Sequence, residues 1–339
     1  MMPSLLALKC LNLLACGKGI TQRDAKNKVI ISTIYHLTFA YAKLKHYFSL
    51  IRESLTLMPR PSLQVIPVEA PVQSDIFPLY DTLQTALQNS EQTLLEGDVL
   101  AVSSKYIAIS ENRVVNLDEV VPSDEALALA DQFNMDSKIA QLVVQEADHI
   151  FGGIPMGFLL TWRSGIIAPN AGLDRSNIPS GQAVLLPEKP YDSAHNLRDW
   201  VLDTYGVRVG IVVTDSWLVP GRYGTSGVAL ASAGFQPIED ERGKEDLFGN
   251  PMAVTQRGVA DSLSVSAQMV MGERDEACPF AIVRGADIQL TDARISQDDV
   301  AIPWEMDIYV ESLTIGLLPN GAPRESFSAK LNKRDTAGA

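Results

Sequence analysis

Apolar positions along the chain gather into short continuous runs bounded by turn-forming residues, and two of these runs end on acids. Gly165-Ile166-Ile167-Ala168 predicts a buried strand; Phe158-Leu159-Leu160-Thr161-Trp162, split from it by Arg163-Ser164, makes the pair a hairpin. Asn170-Ala171-Gly172-Leu173-Asp174-Arg175-Ser176-Asn177 follows directly. It concentrates turn formers, an acid, a base and two amides, and Gly172 supplies the backbone freedom for a tight turn that leaves Asp174 at the strand's exit. Further on, Gly210-Ile211-Val212-Val213-Thr214 predicts a second apolar strand with Asp215-Ser216 at its end. Sheets built with α/β crossovers place their ligands at strand ends, so the two carboxylates become the organising pair.

The rest of the pattern fills in around them. Residues 63–68 read as the first strand, and 99–107, entered through the Glu96-Gly97-Asp98 turn, as a core strand with a polar end. Ser123 is a helix N-cap with acids in the following turn, and helical periodicity over 126–133 and 138–147 predicts two helices packed as a pair. Val184-Leu185-Leu186 is a strand, Ser193 the cap of a helix over 194–205, and Gly206 its terminator. Strand, helix and strand in that order make a crossover unit, which puts parallel pairing into the sheet. Residues 218–227, with Pro220, Gly221, Gly224 and Gly227, are loop-like, and 240–250 is a charged turn region. A helix over 257–271 follows, with Val259, Leu263, Ser266 and Val270 on one stripe; Gly272 ends it and Glu273 sits just beyond. An acid there opposes the negative end of the helix dipole, at roughly a few tenths of a kcal/mol unless a metal or an Arg compensates. With a final strand at 280–285, the expected fold class is mixed α/β (α+β), with parallel and antiparallel sheets and packed helices.

Composition adds constraints. The 339 residues, 46% of them hydrophobic, can bury a full core, and a formal net charge of −13 argues against a nucleic-acid partner, which demands a basic surface. The charge is unevenly spread: residues 1–62 carry nine Lys/Arg against two Asp/Glu, the remainder 19 against 39. The expected organisation is a basic extension at 1–62, a main domain at 63–300 and a tail at 301–339 whose end, 327–339, is disordered. Residues 29–42 are apolar and aromatic but carry His36 and stop short of the roughly 18 residues of a bilayer span, so a basic amphipathic helix is expected and no membrane span. Met58 is expected to be the true translation start unless residues 1–57 form an appendage. Leu13-Leu14-Ala15-Cys16 faintly matches a lipoprotein cleavage box, but no basic segment precedes it and the match is taken as chance. Cys10, Cys16 and Cys278 are too scattered for a disulfide framework or zinc site, and with no convincing signal peptide the expected compartment is the cytoplasm.

Taken in order, residues 170–177, the Leu185-Leu186-Pro187 loop, Val212-Val213-Thr214-Asp215-Ser216, the helix start at 254–261 and Met271-Gly272-Glu273 resemble the coenzyme F420-0:L-glutamate ligase family, over about residues 63–290. Each motif alone is weak; the ordered set is specific. The resemblance implies a mixed α/β homodimer that joins L-glutamate, in a γ-glutamyl amide, to the lactyl-phosphate tail of a deazaflavin or a related phosphorylated acceptor. It implies GTP as co-substrate and Mg²⁺ or Mn²⁺, with K⁺ a further candidate. It places Asp174, Asp215 and Glu273 at metal positions, Ser216 at a fourth usually held by Thr, and Asp174, Asp215 and Arg222 in the chemistry. Asn177, Ser104, Lys105, Met271, Gly272 and Arg274 fall along the nucleotide, with Val68-Glu69-Ala70-Pro71 beside it. The chemistry agrees: an amide made from a carboxylate in water needs activation, commonly as an acyl phosphate, and the hard cations that neutralise a transferring phosphoryl group want oxygen ligands. Arg175, Lys105 and Arg222 are the basic side chains offered to phosphates.

The chain departs from the family's pattern at several points. Ile109 stands where the family has a nucleotide-contacting lysine, Leu218 and Val219 stand where Gly-Arg is usual, and Lys189 and Tyr191 follow Leu185-Leu186-Pro187 where aspartates are common. The residues at the metal positions survive while cationic contacts thin out. Two other readings therefore stay open: a relative that ligates an amino acid to another small carboxylate, and a non-catalytic scaffold that binds metal or nucleotide. Plain structural roles are also available, an Asx turn for Asp174, a capped turn for Asp215, a surface acid for Glu273 and solvated charges for Lys105 and Arg222. His149 and His195 have no partner at ligand spacing, and no nucleophile elbow is visible.

Overall fold

The computed structural model divides into two units, Met1–Ser62 and Leu63–Ala339, and describes residues 62–314. The amphipathic helix expected at 29–42, Met58, Cys10, Cys16 and the tail end at 327–339 lie outside the described residues. The second unit is organised on a five-stranded sheet in the order β1 (Gln64–Val68), β12 (Phe280–Arg284), β2 (Val99–Ser103), β8 (Gly210–Leu218) and β9 (Thr225–Ala233). β2 and β8 run parallel and the other neighbours antiparallel. Both faces are covered, which is why the strands read as unbroken apolar runs. Leu100, Val102, Ile211, Val213, Phe280 and Ile282 pack on one side with α1 (Leu79–Asn89) and α5 (Pro190–Tyr205). Val99, Ala101, Val212, Ala281 and Val283 pack on the other with α6 (Val259–Met271).

A smaller assembly adjoins this sheet. β4 (His149–Ile154), β5 (Phe158–Arg163) and β6 (Ile166–Pro169) form an antiparallel sheet, and β3 (Val114–Asn116) pairs with β7 (Gln182–Val184). Phe133, Leu142, Leu159 and Leu185 join these to α3 (Asp124–Phe133) and α4 (Ser137–Glu146) in one core. The short α2 (Ser104–Ser110), the β10–β11 hairpin (Ile238–Asp240 with Gln256–Gly258) and α7 (Ile308–Thr314) complete the mixed α/β architecture. Within the segment expected as a tail, Trp304 stacks on His149 of β4, with ring centroids 4.8 Å apart. No helix among the described residues is long and apolar enough to cross a membrane.

The hairpin before Asn170, the Ser123 cap and the Gly206 terminator stand as expected, with Ser123 Oγ accepting from Ala126 N–H and Gly206 at φ +70°. Four elements differ. The strand read over 99–107 stops at Ser103, because Tyr106 to Ile109 bury themselves as a helical turn, a use of a short apolar run that periodicity cannot separate from a strand. Helix α5 starts at Pro190, which suits a first helical turn, so Ser193 is no cap and its hydroxyl donates to Glu111 instead. β7 belongs to the sheet with β3, so the expected parallel pairing arises between β2 and β8 and not through a β7–β8 crossover. β8 continues past Asp215 to Leu218, and the last three residues of the expected loop, Thr225 to Gly227, already belong to β9, leaving 219–224 as the connection.

Helix α6 lies unusually close to β9. A Cβ on Gly227 would sit 2.7 Å from the backbone C and O of Ser264. In the same seam the Thr214 and Ser264 hydroxyls hydrogen-bond each other. Where the β8–β9 register shifts between Val213 and Thr214, Asp261 Oδ1 accepts the Ala229 N–H at 2.9 Å. Gly227→Ala must lift the helix from the sheet, and urea unfolding should show a loss of about 1–3 kcal/mol, as for other overpacked cores. An unchanged midpoint would mean that the seam has slack.

Candidate active site

The parallel register of β2 and β8 pairs Ser103 with Thr214, so Ser104 and Asp215 emerge side by side. Ser104 is buried and donates its hydroxyl to Asp215 Oδ2, while Ser216 N–H donates to Oδ1 at 2.7 Å. Asp215 therefore lies within β8, opposite Val228, rather than at a strand exit. Two residues on, Trp217 Nε1 donates to Ile167 O at 2.6 Å and ties β8 to β6.

From β6 the chain enters a turn at Asn170–Gly172 whose three residues take φ of +49°, +54° and +73°. Left-handed conformations cost about 1–2 kcal/mol each for side chains with a Cβ, and neighbouring groups hold them here. Asn170 Oδ1 accepts Leu159 N–H at 2.8 Å, and Thr161 Oγ1 accepts Ala171 N–H at 2.9 Å. Only glycine fits at 172, where a Cβ would come within 2.6 Å of Leu186 Cδ1. Asp174 follows, bonded through its backbone to Val184 at 2.9 and 2.8 Å. Its Oδ2 meets Lys105 Nζ at 2.5 Å, and Ser176 donates its N–H to Oδ1 at 2.7 Å and its hydroxyl to Oδ2 at 3.0 Å. The Asx turn offered as a plain structural role is thus present, and it sits in a cavity wall.

The opposite wall comes from the end of α6. Gly272 turns the chain with φ +75°, and a Cβ there would fall 2.2 Å from Glu276 Cδ. Glu273 Oε2 then accepts from Ser216 Oγ at 3.2 Å and Oε1 from Thr225 Oγ1 at 3.4 Å. Hydroxyls meet this acid where an Arg or a metal was expected. Asn177 Nδ2 donates to Arg274 O at 2.7 Å and links the two loops.

These segments enclose a cavity of about 800 Å³. Asp174, Asp215, Ser216, Glu273, Asn177, Ser104, Lys105, Met271, Gly272 and Arg274 all line it. Arg222 and Arg175 do not; Arg222 is on the exposed turn between β8 and β9. The three predicted metal-binding acids do not close into one group, and among the described residues no three His, Cys, Asp or Glu side chains gather as a metal ion would require. They form a chain instead, Asp174 against Lys105, Asp215 between Ser104 and Ser216, and Ser216 against Glu273. Ser176, Thr225, Gln268 and Trp217 escaped the sequence reading. Trp217 shares Asp215's face only because β8 runs on through it, which the expected strand end at Thr214 concealed; Thr225 carried no local signal.

Burial pushes the Asp215 carboxyl up to about 6, with Asp174's charge adding to the effect and the Ser104 hydroxyl, Ser216 N–H and Lys105 opposing it. Burial also works against ionisation of Asp174, but Lys105's charge and hydrogen bond, with the two Ser176 donors, outweigh it and hold that carboxyl below its ordinary value. Around the cavity Asp174, Asp215, Glu273, Asp275 and Glu276 face only Lys105 and Arg274 as formal cations.

All of these cavity acids fall within residues 74–285, the span matched by the family model for F420-0:Gamma-glutamyl ligase. The chain belongs to this family. It is similar to the coenzyme F420:L-glutamate ligase of Methanopyrus kandleri, at 35% identity over 225 residues, 66% of this chain and 88% of that protein. The protein of the same description from Methanocaldococcus jannaschii is 34% identical over 215 residues (63% of this chain, 85% of that one). That of Natronomonas pharaonis is 37% identical over 205 residues (59% and 78%). Among the departures, Ile109 lies in the cavity wall, whereas Leu218 and Val219 are exposed beyond it and Lys189 and Tyr191 open α5.

Because the folded-state value for Asp215, about 6, exceeds the ordinary 3.8, its protonation favours the fold. That contribution is complete below the unfolded value and is lost as pH rises through the folded one. In metal-free buffer Asp215→Asn should therefore be more stable than the wild type near neutral pH, by roughly 1–2 kcal/mol, with the gap closing between about pH 6 and 4. Urea unfolding across a pH series measures this, and a gap that ignores pH would contradict it.

Proposed function

We propose that the protein is an amide ligase that joins the amine of L-glutamate to the carboxylate of a phosphorylated acceptor of the coenzyme F420-0 type, with GTP and a divalent cation. The observation that carries this reading is the cavity wall itself: five carboxylates against two cations, with oxygen atoms as the donors. Nucleotide, glutamate and acceptor are all anionic, and such a wall gathers them only with cations between. The donor set suits a hard ion, and an ammonium already rests on Asp174 as a stand-in for one. Asp174, Asp215, Ser216 and Glu273 are the residues that would hold Mg²⁺ or Mn²⁺, each ion taking one or two of them, since they do not gather into a single group. The ion would contribute neutralisation of phosphoryl oxygens.

The protein's own part is placement. Tyr106, Ile109, Ile178 and Pro179 give the cavity an apolar side on which a planar ring packs and from which water is kept. The acceptor carboxylate takes the γ-phosphoryl group of GTP, releasing GDP; the glutamate amine then displaces inorganic phosphate and gives up a proton. Excluding water matters most between those steps, because the acyl phosphate otherwise hydrolyses. The names of the relatives support the acceptor. Ile109, apolar at a wall position where a lysine is usual, favours a second reading in which the acceptor is a different small carboxylate.

The deciding assay is phosphate release from GTP, expected only when acceptor and glutamate are both present and metal is supplied. Asp174→Asn and Asp215→Asn should each lower turnover about 100-fold or more while the fold persists, the scale seen when one electrostatic contact to a transition state is removed. A flat response with folded, metal-loaded protein and F420-0 would exclude the first acceptor, and a flat response with a panel of small phosphorylated carboxylates would exclude the ligase reading.

A further inference from the structure

We propose that Lys105 is a resident counter-cation: in the ligand-free protein it holds the place of a divalent ion on Asp174, and an arriving ion displaces it, freeing its ammonium for a phosphoryl group. This rests on the reading that a divalent cation enters the cavity. It adds which residue keeps that position beforehand and how binding of the ion and of the nucleotide are coupled.

The argument is one of hydrogen-bond capacity. An ammonium has three N–H donors and no acceptor. Lys105 Nζ has three partners, Asp174 Oδ2 at 2.5 Å and the carbonyl and hydroxyl oxygens of Ser176 at 3.0 Å each, all within one turn. No donor is left over for a phosphate in this state. On the acceptor side Asp174 Oδ2 takes both Lys105 and the Ser176 hydroxyl, and Oδ1 takes the Ser176 N–H, so Oδ2 is the oxygen on which an ion and the ammonium compete. A divalent ion and an ammonium repel, so they cannot share Oδ2 at contact distance. Lys105 is also able to leave: its side chain is partly exposed, and four rotatable bonds separate the charge from a backbone fixed beside buried Ser104. Competition at one carboxylate and release of a cation toward the second ligand amount to a coupling free energy, which must act equally in both directions.

The test uses the full chain and measures binding of Mn²⁺ alone, of GTP alone and of each in the presence of the other, by titration calorimetry. Lys105→Met and Lys105→Gln are compared with the wild type, the second retaining a donor for the Ser176 carbonyl without the charge. Both variants should bind Mn²⁺ alone about tenfold more tightly, and the mutual tightening of Mn²⁺ and GTP seen in the wild type should shrink by a similar factor. Arg274→Met controls for general charge, because Arg274 lines the cavity without pairing to Asp174; its Mn²⁺ affinity should change far less. Unchanged or weaker Mn²⁺ binding in the folded Lys105 variants overturns the counter-cation role, as does an equal gain in Arg274→Met. If the wild type binds no Mn²⁺ with or without GTP, the metal-dependent ligase reading falls together with this one.

Discussion

The site exists because β2 and β8 are neighbours, parallel and in one register. Pairing Ser103 with Thr214 sets two segments side by side, Ser104 and Lys105 where β2 gives way to α2, and Asp215 and Ser216 within β8. A slip of one residue would turn every side chain of β8 to the other face. Asp215 would then point toward α6 and Ser104 would lose it. Consecutive strand residues face opposite ways, and the site uses this: Asp215 meets Ser104 on the side of α1 and α5, while Ser216 meets Glu273 at the end of α6. Helix α6 in turn is held by the Gly227 contact and by two side chains one turn apart, Asp261 and Ser264, that bond to β9 and β8. The spacing between Ser216 and Glu273 is therefore fixed by the seating of α6 on its face of the sheet.

What could be read in the sequence was local, and what could not was a matter of partners. Gly172 announces a turn because no other residue fits it, and Asp174 is delivered where the turn predicts. Asp215 was legible as a site residue but not as a mid-strand one, since an acid at the close of an apolar run looks like its end. Only β9 shows otherwise, and its first residues, Thr225, Ser226 and Gly227, read as loop; Gly227 has no side chain because α6 comes so near. Helix α1 went unread although Leu83, Ala86 and Leu87 have the spacing of a buried helical face. Arg222 lies outside the cavity wall for the same reason that Asp215 lies mid-strand: each residue added to an extended strand carries the chain about 3.3 Å onward, and β8 runs to Leu218.

The electrostatics of the cavity show how a protein keeps several carboxylates close in the absence of ligand. No pair of them is left facing directly; each is screened by donors from its own neighbourhood, Ser176 for Asp174, Ser104 and Ser216 N–H for Asp215, Ser216 and Thr225 for Glu273. Lys105 is the one full charge among these donors. Burial works against ionisation of both Asp174 and Asp215; it is outweighed only at Asp174, where the ammonium is in contact and Ser176 adds two donors, while at Asp215 Lys105 acts only at a distance.

Ile109 then bears on how strongly the site depends on bound ions. It is buried in a small core with Ala108 and Val184 and forms part of the cavity wall. A lysine there would have to extend from that core into the cavity to reach water or phosphate. Isoleucine closes the wall and removes that charge, and the exposed Leu218 and Val219 return none to it. Against the pattern that the resemblance implies, Asp174, Asp215 and Glu273 are kept while the fixed cations are fewer. On the proposed reading, neutralising an anionic substrate in this cavity would therefore fall more to mobile cations and to the ammonium of Lys105.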